Sequence, residues 1–228
     1  MPRSWAFYEL TRNPDVQSRL HDEIMEKLPP GTAAFAYLEV KAACSSFLRH
    51  QARHEEPNRA QDAAGRLSGT CKITRDHTPG AGEMPYLNGV MYEALRLWPP
   101  VPFDPKMAFE DDVLPGGWKV PALAQVAYCP YNMGRDPKRY PEPEVAQLKH
   151  AFRPERWIPF TAPSQHEFPV FQAGMDMALF EAKTAAVELL RHCRFEMVPG
   201  QNITYGDKIT LDIKSNGKEE FLVHVRDW

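Results

Sequence analysis

The sequence predicts a mainly α-helical fold with small β-sheets (α+β), and three observations carry that prediction. Apolar residues recur at helical spacing in three stretches, at Val16, Leu20 and Ile24, from Leu87 to Trp98, and from Met175 to Leu190, the pattern of helices with a buried face. The chain holds 22 prolines, clustered after Trp98; proline locks its backbone and lacks a donor, so that region reads as turns and short strands. Short runs bounded by Gly, Pro and Asn then mark strands. With 228 residues, 43% hydrophobic, 25% charged and a net charge of -3, the composition is that of a soluble globular protein of one large or two small domains. It offers no electrostatic case for nucleic acid.

Taken in order, Ser4 to Thr11 reads as the end of a helix. Asn13 and Pro14 offer an N-cap followed by proline at the first helical position, opening a second helix that runs to about Lys27 and stops at Pro29-Pro30-Gly31. From Gly31 to Glu83 the periodicity is lost, and so long an unpatterned stretch reads as a disordered insertion of non-coding origin, with a weak helical pattern over Phe35 to Leu48. His50 and His54 share a helical face there, flanked by Cys44 and Cys71; a zinc site is conceivable, although the spacing fits no common finger. The four cysteines, Cys44, Cys71, Cys129 and Cys193, read as reduced thiols.

Met84 to Pro100 is the organising stretch. Leu87, Val90, Met91, Ala94, Leu95 and Trp98 form one stripe, and Pro99 and Pro100 stop the helix. Glu93 and Arg96 lie one turn apart on the far side of that stripe, which on pattern alone is a solvated ion pair. A hairpin follows around Leu114-Pro115-Gly116-Gly117, then a strand from Val126 to Cys129. Met175 to His192 reads as a buried helix through Met175, Ala178, Leu179, Ala182, Ala186, Leu189 and Leu190, with Cys193 about four turns along it. Phe195 to Val198 reads as a strand, and Thr210–Ile213 with Phe221–Val225 as a closing hairpin across Lys214 to Lys218.

Two motifs carry a resemblance. Glu93-Ala-Leu-Arg96, and some sixty residues later Phe152-Arg153-Pro154-Glu155-Arg156-Trp157, resemble the paired E-x-x-R and P-E-R-F/W signatures of the cytochrome P-450 superfamily of haem-thiolate monooxygenases. The resemblance implies a partial cytochrome P-450 fold. Residues 1–30 would be the end of the long haem-face helix plus the helix after it, 31–83 the insertion, and 84–228 the C-terminal part of the domain. It implies a buried charge network of Glu93, Arg96 and Arg156, suited to guanidinium forks that stay charged. Trp157 beside it reads as packing. Val101, Pro102, Phe103 and Asp104, with Ser215 and Asn216, become substrate-pocket candidates, against the plainer reading of the first four as ordinary loop residues. Implied cofactor and partners are haem, an NADPH-cytochrome reductase and a small lipid substrate. Residues 102–121, PFDPKMAFEDDVLPGGWKVP, together with 131–140, YNMGRDPKRY, resemble members that hydroxylate long-chain fatty acids or alkanes. The full-length family implies the endoplasmic reticulum membrane, and this chain is expected to start too late to carry the anchor.

The sequence also departs from the family pattern. The haem loop should read F-x-x-G-x-R-x-C-x-G, whose thiolate favours O–O cleavage. Phe171 and Gly174 remain as its flank, but the sequence passes directly from Gly174 to Met175, without the cysteine. Met175 and Met177 read as packing residues, since a thioether cannot supply the anionic push. By the resemblance, the family's oxygen-activating segment, an acidic residue followed by threonine, is expected just before Ser4 and so outside this sequence. Two functional expectations follow: the C-terminal part of a lipid-hydroxylating monooxygenase, or a haem-free, non-catalytic remnant or product of a faulty gene model.

Overall fold

The computed structural model describes residues 2–28, 84–141, 152–171, 175–207 and 210–228. The proposed insertion, its weak helix, and the Cys44, His50, His54 and Cys71 cluster lie outside the described residues, as does Gly174.

Helices α1 (Pro2–Arg12) and α2 (Pro14–Lys27) meet at Asn13. Val16, Leu20 and Ile24 are all buried, as their spacing predicts. Asn13 takes the N-cap position without capping α2; its side-chain amide instead donates to the Glu9 carbonyl at 2.8 Å, closing the end of α1. Gln17 ties α2 to the far end of the chain. It donates to the carbonyls of Leu10 and Phe195 and accepts from the Phe195 N–H.

Helix α3 (Pro85–Leu97) is buried from Tyr86 to Leu97. This corrects the expectation of one buried stripe with Glu93 and Arg96 facing solvent. The opposite face is covered by a 3₁₀ turn, Pro154–Trp157, which approaches so closely that a Cβ on Gly89 would lie 2.8 Å from the Pro154 carbonyl oxygen. The N-terminus of α3 is capped from another helix. Both oxygens of Glu23 in α2 accept backbone N–H groups, from Tyr86 and Leu87, each at 2.8 Å. Burial nevertheless raises the Glu23 carboxyl above its ordinary pKa. At the other end the Trp98 ring stacks on Trp5 of α1, with centroids 3.8 Å apart. The Trp98 indole donates to Glu9 and the Trp5 indole to the Leu211 carbonyl.

Among the described residues the strands form four two-stranded antiparallel sheets. Strand β1 (Asp104–Met107) pairs with β4 (Gln125–Tyr128), and β2 (Asp112–Leu114) pairs with β3 (Trp118–Val120) across the predicted glycine turn. Cys129 lies beyond β4, at the N-cap of the short helix α4 (Pro130–Met133), rather than in the strand. Helix α5 (Met175–Leu190) ends before Cys193. Cys193 opens strand β5 (Cys193–Met197), so its expected place on the helix is corrected, and Leu189 is exposed.

The predicted closing hairpin does not form. Strand β7 (Leu211–Ser215) pairs with β6 (Ile203–Asp207), while β8 (Val223–Asp227) pairs with β5. The chain does reverse at Asn216 and Gly217, both at positive φ. Beyond the turn, however, Gln201 clamps Leu222 by accepting its N–H and donating to its carbonyl, which delivers the chain to β5. Strand β6 escaped the sequence reading because Gly206 and Asp207 lower its strand propensity.

Candidate functional site

The chemistry of the described residues concentrates on Glu93, which is fully buried in the middle of α3. One turn later Arg96 returns a guanidinium fork to it: Nε donates to Oε2 at 2.8 Å and Nη2 to Oε1 at 2.7 Å. The 3₁₀ turn closes over the pair. Arg156 Nε and the Arg153 backbone N–H donate to Oε1 at 3.0 Å, and the Trp157 indole donates to Oε2 at 3.0 Å. Glu93 therefore accepts five hydrogen bonds, the degree of pairing that lets a carboxylate survive burial.

Arg96 is held from its far side as well. Its Nη1 donates to the Gly134 carbonyl at 2.6 Å, and the Tyr140 ring lies 5.2 Å from its guanidinium carbon and 5.8 Å from that of Arg156. Gly134 is required by this approach, since a Cβ there would lie 2.1 Å from the Arg96 carbonyl oxygen. The network thus joins α3, α4 and the 3₁₀ turn. Trp157, expected to pack only, does so against Tyr92 and Phe168 but is also a fifth hand on Glu93. Its place in the motif could have suggested this, because a buried indole N–H needs a partner.

The substrate-pocket candidates separate into two groups. Val101 and Asp104 line a pocket of about 170 Å³ with Pro100, Pro130, Pro169, Val170 and Phe171. The Asp104 carboxylate accepts from the Tyr128 hydroxyl at 2.6 Å and pairs with Lys106. Pro102 uses its carbonyl to accept from Cys129 Sγ and from the Tyr131 N–H, and the Phe103 side chain is exposed. Ser215 and Asn216 lie elsewhere. Leu211 donates to the Pro100 carbonyl, but Ser215 is four residues further along β7, about 13 Å away at ordinary strand rise. There it donates to Gln201, and the Asn216 N–H donates to the Asn202 carbonyl.

A family model described as "Cytochrome P450" matches residues 75–214, more than half of the chain. The chain belongs to the cytochrome P450 family. It is 34% identical over 212 residues to cytochrome P450 704B1 of Arabidopsis thaliana, a match covering 89% of this chain and 36% of that protein. It is 36% identical over 169 residues to cytochrome P450 94C1 of the same plant, covering 69% and 33%. To the Arabidopsis alkane hydroxylase MAH1 it is 32% identical over 139 residues, covering 57% and 27%. This cytochrome P450 chain therefore spans about a third of the length of these relatives.

Cytochromes P450 carry haem, and the described residues do not fit a haem held by a thiolate. No cysteine occurs between Phe168 and Met177. Cys129 Sγ is engaged with the Pro102 carbonyl. Cys193 lies beyond the far end of α5, whose 16 residues span about 24 Å from Met175. Phe171 packs against the core, between the pocket near Asp104 and a depression of about 10 Å³ lined by Ala6, Met91, Leu95 and Leu179. Among the described residues no cluster of His, Cys, Asp and Glu could hold a metal ion, and no helix is long and apolar enough to cross a membrane.

Proposed function

We propose that the chain is the C-terminal part of a haem-dependent monooxygenase that inserts one oxygen atom from O2 into a fatty acid or other long-chain lipid, drawing electrons from an NADPH-dependent reductase. The observation that carries this reading is the buried Glu93–Arg96–Arg156 network with its Arg153 and Trp157 donors. A charge cluster this costly to desolvate fixes the 3₁₀ turn against α3, and Trp157 and Phe168 with it. The likeness to a protein named alkane hydroxylase supports the lipid class.

A second reading rests on the passage from Gly174 to Met175 without cysteine. On that observation the chain as written forms no sulfur ligand to haem and supports no turnover. The test has two arms. Reduced haem and carbon monoxide are added to the purified chain, with no thiolate-type Soret band expected; a clear band would overturn the haem-free reading. In parallel, an arginine- and cysteine-containing loop is inserted between Gly174 and Met175, within a chimera supplying the unmatched part of the Arabidopsis 704B1 relative. The band and hydroxylation of a long-chain fatty acid are expected there. A band without lipid turnover sinks the substrate class, and no band sinks the monooxygenase reading.

A further inference from the structure

The chain holds two Asn–Gly pairs, Asn88-Gly89 and Asn216-Gly217, and the fold treats them oppositely. Such a pair can react with itself, because the glycine nitrogen can close a five-membered ring on the side-chain amide carbon and glycine has no Cβ to obstruct the approach. Asn88-Gly89 is closed to that chemistry. It lies inside α3, where the Gly89 N–H belongs to the helical ladder, and buried Asn88 donates its side-chain amide to the Met84 carbonyl at 2.9 Å. The second pair forms the turn after β7. Asn216 and Gly217 are both exposed there, at φ of 50° and 83°. Ser215 and Lys218 exchange backbone hydrogen bonds of 2.9 Å across the turn, while among the described residues no hydrogen bond engages the Gly217 N–H or Asn216 Nδ2. A Cβ built on Gly217 would meet nothing within 4 Å, so a ring has room to form.

A further observation concerns the oxygen of that amide. The Asn202 backbone N–H donates to Asn216 Oδ1 at 3.1 Å, and the Asn216 N–H donates back to the Asn202 carbonyl at 3.1 Å. Attack on Cγ drives negative charge onto Oδ1, so a fixed donor already sits where that charge develops. We propose that Asn216-Gly217 is a self-modifying site, at which the turn converts its own amide to aspartate and isoaspartate. The Gly217 nitrogen gives its proton to a solvent base and bonds to Cγ, the Cγ–Nδ2 bond breaks and ammonia leaves. Water then opens the cyclic imide. Cleavage at Cγ gives aspartate, and cleavage at the main-chain carbonyl gives isoaspartate; nothing is oxidised or reduced. The aspartate form keeps the turn, since its carboxylate still accepts from Asn202. The isoaspartate form adds a methylene to the backbone inside the two-residue turn, which the Ser215–Lys218 pairing cannot absorb. Gln201 feels that shift, because the oxygen that accepts from Ser215 Oγ also accepts from the Leu222 N–H.

The experiment ages the full chain in mildly alkaline buffer, with and without urea, and follows both Asn–Gly peptides by mass and by methyl transfer from an isoaspartyl-specific methyltransferase. In the folded chain Asn216 should convert at least tenfold faster than Asn88, and faster as pH rises. In urea the two should converge, with Asn216 changing its rate by less than about threefold because the turn already presents the reacting groups. Asn216→Gln, whose longer side chain needs a larger ring, should leave the turn peptide unmodified. Ser215 and Leu222 amides should exchange faster in the isoaspartyl form, while α3 amides stay unchanged. Equal conversion of the two pairs in the folded chain overturns the proposal, as does conversion of Asn216 that appears only in urea, which would mean that the turn protects it. Unaltered exchange at Ser215 and Leu222 in the isoaspartyl form overturns the link to Gln201.

Discussion

Helix α3 and the β1–β4 region lie only a few residues apart in sequence and have opposite fates. In α3 every side from Tyr86 to Leu97 is covered, including the two charges, because the 3₁₀ turn, α1, α2 and α4 all close on it. In the β1–β4 region Met107, Phe109, Val113, Trp118 and Leu123 stand in water. The lesson is that this chain builds its interior around a saturated ion network and leaves its apolar excess at the sheets. Between these two regions apolarity alone does not separate buried from exposed residues, whereas the partners gathered around Glu93 mark the buried one.

Breaking the network should give the largest effect. Glu93→Ala leaves two buried guanidinium groups facing each other without their carboxylate, and a loss of about 3–5 kcal/mol is expected in urea denaturation. Arg96→Lys should be nearly as severe, since an ammonium cannot reproduce the fork that spans both carboxylate oxygens. Next come the close approaches. Gly134→Ala and Gly89→Ala force a methyl against backbone oxygens at 2.1 and 2.8 Å, with an expected cost of about 1–3 kcal/mol each and the larger at Gly134. A wild-type melting curve for Gly134→Ala would show that Arg96 is not seated against Gly134.

Trp98→Phe keeps the stack on Trp5 but removes the N–H donated to Glu9. Leaving a buried carboxyl with one partner fewer should cost about 1–3 kcal/mol. Glu9 itself supplies the pH test. Burial raises its carboxyl above the ordinary range, against the Trp98 hydrogen bond and the charge of Arg12, which lower it. The folded state thus binds this proton more tightly than the unfolded chain. The associated stability is complete below the unfolded pKa and is lost as pH rises through the raised one. Glu9→Gln should flatten that decline and melt slightly higher at neutral pH, by under about 1 kcal/mol. A steeper decline in the variant would contradict the assignment. Smallest of all, Val113→Thr on the exposed hairpin should move stability by no more than about 0.5 kcal/mol in the free chain.

How much was legible follows the same division. The apolar spacing located α2, α3 and α5, and Leu114-Pro115-Gly116-Gly117 located the β2–β3 turn, because helix period and turn chemistry are properties of neighbours in sequence. The pairing of Glu93 with Arg96 and Arg156 came with the two motifs and their resemblance to a family, not from periodicity, which put the pair in solvent. Trp157 was half legible: its packing was expected and its hydrogen bond was not. Ser215 and Asn216 were grouped with Val101 to Asp104, and the fold sets them at opposite ends of β7.

The sequence by itself determined the helices, the glycine turn, the family through its ordered pair of motifs, and the passage from Gly174 to Met175 without a cysteine. Tertiary structure alone decided that α3 is buried all round, that β7 takes β6 while β8 takes β5, and that Asn13 closes α1 rather than capping α2. Those outcomes depend on groups far apart in the chain. Gln201 catches Leu222, Glu23 caps a helix 63 residues on, and Gln17 meets Phe195 across 178. Such contacts carry no local period, since a side-chain amide or carboxylate will satisfy whichever backbone group the packing brings to it.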